Sequence, residues 1–154
     1  MRSGQATIVI RAARECIFDL IHDYDRRLKW DPFLRDAHLL DGAERAAAGV
    51  SSRCTARWLA GGMAMDTVYV AFNRPAVAAV KMTRGPLLFR AFAASIRHDV
   101  IDEYSTRVTY RYNFALRPDW LTWPAEPLAN WMLYRETQQR LAALKTFLEG
   151  PEAV

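Results

Sequence analysis

Six consecutive segments that alternate apolar and polar residues, followed by one long helical segment, set the strongest limit on how this chain can fold. Turns containing glycine, asparagine or proline separate the segments, so we expect strands that pair antiparallel in chain order. The final segment alternates most clearly, with one dry and one wet face. The predicted strands are 36–41, 50–58, 64–73, 76–83, 87–101 and 105–116.

An amphipathic helix is predicted over residues 126–148. Its side chains, placed at about 100° per residue, form one inward stripe. The second half of this stripe is apolar, whereas the first half carries Asn130, Tyr134 and Thr137. A long sheet that grips a single helix leaves a gap where the two diverge. We expect that gap beside the polar half of the stripe.

Three shorter elements precede these strands. Residues 5–10 form a β-branched strand, and 13–22 follow with helical spacing. A second short helix, capped by Asp25, ends before Pro32. The order predicts an α+β domain over 1–154, with a curved antiparallel sheet of about seven strands wrapped around the terminal helix.

Composition excludes several classes of protein. Hydrophobic residues make up 51% and the net charge is only +4, which excludes disorder. No apolar run approaches the roughly 18 residues of a membrane span. The arginines are scattered singly apart from one doublet, so no nucleic-acid patch is expected. Cys16 and Cys54 are interpreted as buried reduced thiols, and with no signal-peptide pattern we expect a cytoplasmic protein.

Metal and nucleotide chemistry lack sequence support. The three histidines, His22, His38 and His98, have no metal-binding spacing. His22, with the acidic residues that follow it, is interpreted as a solvated helix end. No nucleophile elbow, dinucleotide fingerprint or P-loop occurs. We therefore expect no metal and no cofactor.

The strand 87–101 carries the two candidates for chemistry, Arg90 and His98. A buried arginine needs an acceptor, which Asp66 or an acidic ligand could supply. Histidine titrates near neutrality and could act as an acid or base. A slip of one residue would instead turn both side chains outward. The face that we place inward carries Leu88, Arg90, Phe92, Ala94, Ile96 and His98.

Aromatic residues are numerous enough to line a pocket, although each one taken alone could equally be core. Three tryptophans, Trp120, Trp123 and Trp131, are set apart from this group. They could cap the pocket, pack the elbow before the helix, or form a homodimer surface. The predicted ligand-binding set is Phe33, Trp58, Phe72, Arg90, Phe92, Tyr110, Tyr112, Asn130, Tyr134 and Thr137.

Several short motifs occur in a familiar order. They are Ile8-Val9-Ile10, Ile17-Phe18-x-Leu20, Trp30-x-Pro32, Asn73-Arg74-Pro75, Thr106-Arg107-Val108-Thr109-Tyr110 and Arg140-Leu141-x-x-Leu144-Lys145-x-x-Leu148-Glu149. The chain resembles the START/Bet v 1-like (SRPBCC) superfamily with the helix-grip fold, and within it the bacterial polyketide cyclase/dehydrase-like group. Many relatives carry a proline before the first helix, where this chain has Ala12-Ala13. The resemblance implies a cavity for a lipid, polyketide, sterol or other apolar molecule, and no universal catalytic residues.

The sequence therefore predicts a protein that binds a small hydrophobic or aromatic molecule. As an enzyme it would cyclise or dehydrate a polyketide-like chain, with Arg90, Tyr110 or Tyr112 stabilising an enolate and His98 moving a proton. The alternative is a non-catalytic carrier or chaperone for a lipid or quinone. A third hypothesis is an interaction module that uses the tryptophans. A filled core would favour that module, and a cavity without titratable groups in contact would favour the carrier.

Overall fold

Consecutive strands pair antiparallel and form one curved sheet in the order β1-β7-β6-β5-β4-β3-β2. A computed structural model describes residues 2–57 and 62–150. Its elements are β1 (Arg2–Ile10), α1 (Arg14–Ile21), α2 (Arg27–Trp30), β2 (Leu34–Leu39), β3 (Ser51–Ala56), β4 (Ala64–Asn73), β5 (Val77–Arg84), β6 (Phe89–Asp102), β7 (Ser105–Leu116) and α3 (Asp119–Glu149). The predicted helix-grip architecture is confirmed, with the sheet wrapped around α3.

The terminal helix begins at Asp119, seven residues before the predicted start at 126. Pro124 and Pro127 lie inside it, although proline normally ends a helix because it lacks an N–H. The carbonyls left without an intrahelical donor belong to Trp120 and Trp123, which are exposed. Water can satisfy those carbonyls, so the helix continues through both prolines.

The second short helix also differs from its prediction. It begins at Arg27, and its N-cap residue Arg26 makes no side-chain capping bond. Asp25 is therefore not the cap. Instead, the backbone N–H of Asp25 donates to the carboxylate of Asp23 at 3.1 Å. The side chain of Asp23 thus stabilises the turn between the helices.

Two apolar clusters hold α3 against the sheet. The larger joins α1 and the second half of α3 to β1 and β7, with Phe18, Val108 and Leu144 almost fully buried. The smaller lies under the first half of α3, around Tyr112 and Phe114. Burial of side chains this large contributes roughly 1.5–3 kcal/mol each. The space between the two clusters is the hollow described below.

The cysteines differ in environment. Cys16 is exposed, contrary to the predicted buried thiol, because α1 buries Ile17, Phe18 and its neighbours and leaves Cys16 on the opposite side. Cys54 is partly buried, and burial raises the pKa of its thiol. Both thiols are free.

Candidate functional site

A cavity of about 340 Å³ lies between the concave face of the sheet and α3. Its size falls within the range of small-molecule sites. Strands β3 to β7 supply one wall, α3 supplies the other, and α2 with the chain after it closes one end. Met63, Leu88 and Met132 lie in the wall and are also solvent-exposed, so they mark the mouth. The gap predicted where sheet and helix diverge is present.

Five of the predicted ligand-binding residues lie together in the cavity wall. Phe33 lies at the closed end, and Phe92 lies on β6 near the mouth. The tyrosines come from β7, where alternate residues face inward. The hydroxyl of Tyr110 has no hydrogen-bond partner among the described residues. The five are Phe33, Phe92, Tyr110, Tyr112 and Thr137.

Other predicted residues lie outside the wall. Phe72 packs edge-on against Phe18 and belongs to the core. Asn130 lies behind the wall, where its side-chain oxygen accepts a hydrogen bond from the Tyr112 hydroxyl at 3.1 Å. Tyr134 is on the exposed side of α3, within hydrogen-bond distance of Gln138. Trp58 lies outside the described residues.

The Arg90 side chain points away from the cavity, although the sequence analysis placed it on the inward face of the strand. Strand β6 carries a bulge beside it, since Phe89 pairs with Leu116 while Ala91 pairs with Ala115. The extra residue reverses the alternation, so Phe89 takes the inward position. The Arg90 side chain is 53% exposed and forms an ion pair with Asp119. Asp66, one of the two acceptors considered for Arg90, instead receives two hydrogen bonds from Arg53.

His98 faces inward as predicted but lies in the core rather than in the cavity wall. It is 1% exposed and contacts Phe18 of α1, which covers this end of the sheet. Neither ring nitrogen has a hydrogen-bond partner among the described residues. Burial lowers the pKa of His98 to about 4. The buried ring lies apart from the residues that line the cavity, and a catalytic role for His98 stays a prediction.

A buried ion cluster at the closed end of the cavity was missed by sequence reasoning. Asp31 is 1% exposed and accepts from Arg27 Nε at 3.0 Å and from Arg140 Nη2 at 2.8 Å. Burial alone would raise the pKa of Asp31, but the two guanidiniums outweigh it and the pKa lies below its usual value. The sequence feature that could have indicated this cluster is the i,i+4 spacing of Arg27 and Asp31, beside the Trp30-x-Pro32 motif.

Three ring side chains in the cavity wall form a hydrogen-bonded chain. The Tyr69 hydroxyl lies 2.8 Å from His22 Nδ1 and 2.9 Å from the Tyr24 hydroxyl. Burial lowers the pKa of His22 to about 3, so its ring is neutral, and burial raises the pKa of Tyr69. If Nδ1 carries the proton, the donors run from His22 through Tyr69 to Tyr24. His22 is thus not the solvated helix end that the sequence indicated.

Among the described residues that line the cavity, Glu136 alone carries a carboxyl group. It makes no ion pair or hydrogen bond with another described residue. Burial raises its pKa, and this outweighs the opposite effect of Arg140 one turn along α3. Glu136 therefore keeps its proton to a higher pH than a surface glutamate does, which suits a group that exchanges protons with a ligand. This residue was not among the predicted site residues.

The tryptophan group of α3 is exposed. Trp120 and Trp123 are 77% and 88% accessible, and Trp131 lies near the same helix face. Arg135 lies over the Trp131 ring, 5.5 Å from its centroid. These side chains do not pack the elbow before the helix, which removes one of the three roles considered.

A curved antiparallel sheet gripping a long C-terminal helix around a cavity defines a ligand-binding domain of the helix-grip type. The family model described as "Polyketide cyclase / dehydrase and lipid transport" matches residues 1–149. The chain belongs to this family, and its fold is that of the START-like SRPBCC superfamily. No curated protein matches the chain.

Solved structures agree on the fold. A START superfamily protein from Mycobacterium smegmatis has a TM-score of 0.78 at 12% identity, over 96% of this chain and 97% of that one. The Zhui aromatase/cyclase from Streptomyces sp. R1128 has a TM-score of 0.81 at 12% identity, over 99% of both chains. XoxI from Bacillus cereus has a TM-score of 0.77 at 14% identity, over 97% of each. At these identities the likeness shows the fold alone.

Across 2–57 and 62–150, no helix has the length and apolar character needed to cross a membrane. In the same part of the chain, no three His, Cys, Asp or Glu side chains are grouped so that they could hold a metal ion.

Proposed function

We propose that this protein binds a small hydrophobic or aromatic molecule in the cavity and catalyses aldol cyclisation or dehydration of a polyketide-like chain. The observation that carries the proposal is a cavity with mostly apolar walls and titratable groups at one end. The apolar walls favour burial of an apolar guest, and the enclosed shape would hold a flexible chain folded. With both thiols unpaired, we place this function in the cytoplasm.

The proposed reaction needs proton transfer and stabilisation of negative charge on oxygen. A base removes a proton from the carbon between two carbonyls, and the enolate carbon attacks a further carbonyl carbon along the chain. The resulting alkoxide takes up a proton, and loss of water then gives a double bond. Glu136 is suited to carry the proton, while the Tyr24 and Tyr110 hydroxyls are suited to donate to the developing oxyanion.

Non-catalytic transport of a lipid or quinone is the alternative use of the same cavity. Catalysis is favoured because titratable groups are in contact in the wall, where His22, Tyr69 and Tyr24 form a chain and Glu136 has no partner. The Zhui protein, which shares this fold, is an aromatase/cyclase. The interaction-module hypothesis receives less support, since the core beneath α3 is hollow.

Filling the cavity tests the binding proposal. Ala94 is buried in the wall on β6, so Ala94→Phe places a ring inside the hollow. We expect the affinity for the fluorescent probe N-phenyl-1-naphthylamine to fall at least tenfold, with little change in thermal stability because the added ring fills existing space. Titration of probe fluorescence and thermal melting followed by circular dichroism measure the two quantities.

Ala93→Phe is the matched control, because Ala93 is the adjacent residue and lies outside the wall. Its probe affinity should stay within twofold of the unsubstituted protein. Equal affinity in the Ala94→Phe protein would contradict binding in the cavity. Native mass spectrometry of the purified protein would show a co-purified apolar molecule if the carrier alternative holds.

Self-association through the exposed tryptophans is a second proposal. Trp120, Trp123, Leu87 and Trp131 expose more apolar surface at this end of the molecule than scattered single residues would. We expect a dimer in sedimentation velocity at tens of micromolar, and a monomer for the Trp120→Ser/Trp123→Ser double variant. Tyr104→Ser, at the β6–β7 turn near the opposite end of the sheet, should remain dimeric. A monomeric unsubstituted protein would reject the homodimer.

A further inference from the structure

We infer that the ligand carries one anionic oxygen group, which binds to Arg27 and Arg140 at the closed end of the cavity. The inference rests on the proposed function, because it assigns the charge and orientation of the molecule held there. The ligand class is an apolar or aromatic molecule with an acid group at one end.

Each of the two arginines has hydrogen-bonding capacity left over. Arg27 donates from Nε to Asp31 and from Nη1 to the Ile21 carbonyl. Arg140 donates from both Nε and Nη2 to a single Asp31 oxygen, Oδ2. A guanidinium has five N–H donors. Arg27 Nη2 and Arg140 Nη1 have no acceptor among the described residues, and both side chains lie in the cavity wall.

The charges of this cluster do not balance. Two guanidiniums face one carboxylate, and the second oxygen of Asp31 is engaged by the Phe33 backbone N–H at 3.1 Å. Glu136 faces the same cavity, but it makes no ion pair or hydrogen bond with either arginine, so it leaves their free donors unused. Uncompensated positive charge in a desolvated site is unfavourable. An anionic oxygen from the ligand would supply both the missing charge and the missing acceptors.

Aromatic rings hold both guanidiniums and define the surroundings of the acid group. Arg140 lies 5.4 Å from the centroid of Phe33, and Arg27 lies 5.1 Å from that of Trp30. The stacking fixes the donors in place before a ligand binds. It also puts apolar surface directly beside the charge. The ligand would therefore enter acid first, with its apolar part reaching back toward Phe92 and Met132 near the mouth.

Two probes that differ by one charged group test the inference. The probe 8-anilino-1-naphthalenesulfonate is N-phenyl-1-naphthylamine with an added sulfonate. We expect Arg140→Gln to weaken binding of the sulfonate probe about tenfold or more, as for loss of a charge-assisted hydrogen bond, and to leave the neutral probe within twofold. Arg140→Lys keeps the positive charge but has a single donor group, so its affinity for the sulfonate probe should lie between those of the unsubstituted protein and Arg140→Gln. Fluorescence titration measures both affinities, and circular dichroism checks folding.

Arg53→Gln is the control for nonspecific attraction, because Arg53 makes a two-bond ion pair with Asp66 outside the cavity wall. It should leave both affinities unchanged. If Arg140→Gln and Arg27→Gln each bind the sulfonate probe as the unsubstituted protein does, the inference is overturned. Equal weakening of both probes also overturns it, since the arginine would then only shape the cavity. Failure of the unsubstituted protein to bind either probe would instead refute the proposed function.

Discussion

Replacing Asp31 with alanine is expected to lower the free energy of unfolding by about 3–5 kcal/mol, because it leaves two buried guanidiniums without their shared carboxylate. Asp31 is 1% exposed and receives three side-chain hydrogen bonds. It also accepts the Phe33 backbone N–H, which fixes the chain after α2. Urea denaturation followed by circular dichroism measures the change. Asp31→Asn, which keeps the shape without the charge, should lose a substantial part of the same stability.

Asp19→Ala is the matched control for Asp31→Ala. Asp19 also pairs with an arginine, at 2.7 Å from Arg74, but both side chains are about half exposed. Solvent screens such a pair, so we expect a loss below about 1 kcal/mol. A similar loss in the free energy of unfolding for both variants would show that burial does not strengthen the contribution of the Asp31 ion pairs.

The Asp31 cluster also sets an expectation for pH. The pKa of Asp31 in the folded protein lies below its ordinary value. The carboxylate therefore contributes its full stabilisation above the unfolded pKa of about 3.9, and this contribution is lost as pH falls through the folded pKa. The Asp31→Ala protein should lack that part of the acid dependence. An unchanged acid profile would contradict the predicted coupling.

Replacing Glu136 with glutamine is expected to slow ring closure or dehydration by about 10²–10⁴-fold, the usual contribution of a positioned acid or base. The amide keeps the size of the carboxyl group but cannot exchange the proton. Affinity for N-phenyl-1-naphthylamine should stay within twofold, since the walls are unchanged. The assay follows loss of water from a short poly-β-ketone chain that ends in a carboxylate, by mass spectrometry.

The pH profile of the Glu136→Gln protein separates catalysis from packing. Burial raises the pKa of Glu136, so the acidic limb of the rate profile should lie above the pH expected for a surface glutamate and should vanish in the variant. Glu126→Gln, on the same helix but outside the cavity wall, should keep the full rate. An unaltered rate for Glu136→Gln would remove this residue from the mechanism.

Local periodicity predicted the fold because each strand carries its own alternation and each turn its own glycine or proline. The curved sheet, the helix pair after β1 and the long α3 all follow from such signals. The predicted start of α3 was wrong, because periodicity carries no information on whether a proline ends a helix. Whether Pro124 ends a helix depends on whether water can reach the carbonyl of Trp120, and that exposure is a tertiary property.

The site was less accessible to sequence reasoning. Alternation along β7 correctly placed Tyr110 and Tyr112 toward the interior, but the bulge in β6 shifted the phase and put Arg90 outside. The ion cluster depends on residues far apart in the chain, since Arg140 and Asp31 are separated by 109 positions. No single segment of the sequence indicates that these residues come into contact. Arg27 and Arg140, taken alone, look like the many other scattered arginines.

The prolines of α3 bear on how the protein responds to its own ligand. Pro124 and Pro127 each remove one backbone hydrogen bond from the first half of α3, so this half depends more on its contacts with the rest of the protein. Ala129, Met132 and Leu133 of this half border the cavity. Any molecule that touches these residues when bound adds to the order of the helix. By thermodynamic linkage, any contact that stabilises the first half of the helix also raises the affinity for that molecule.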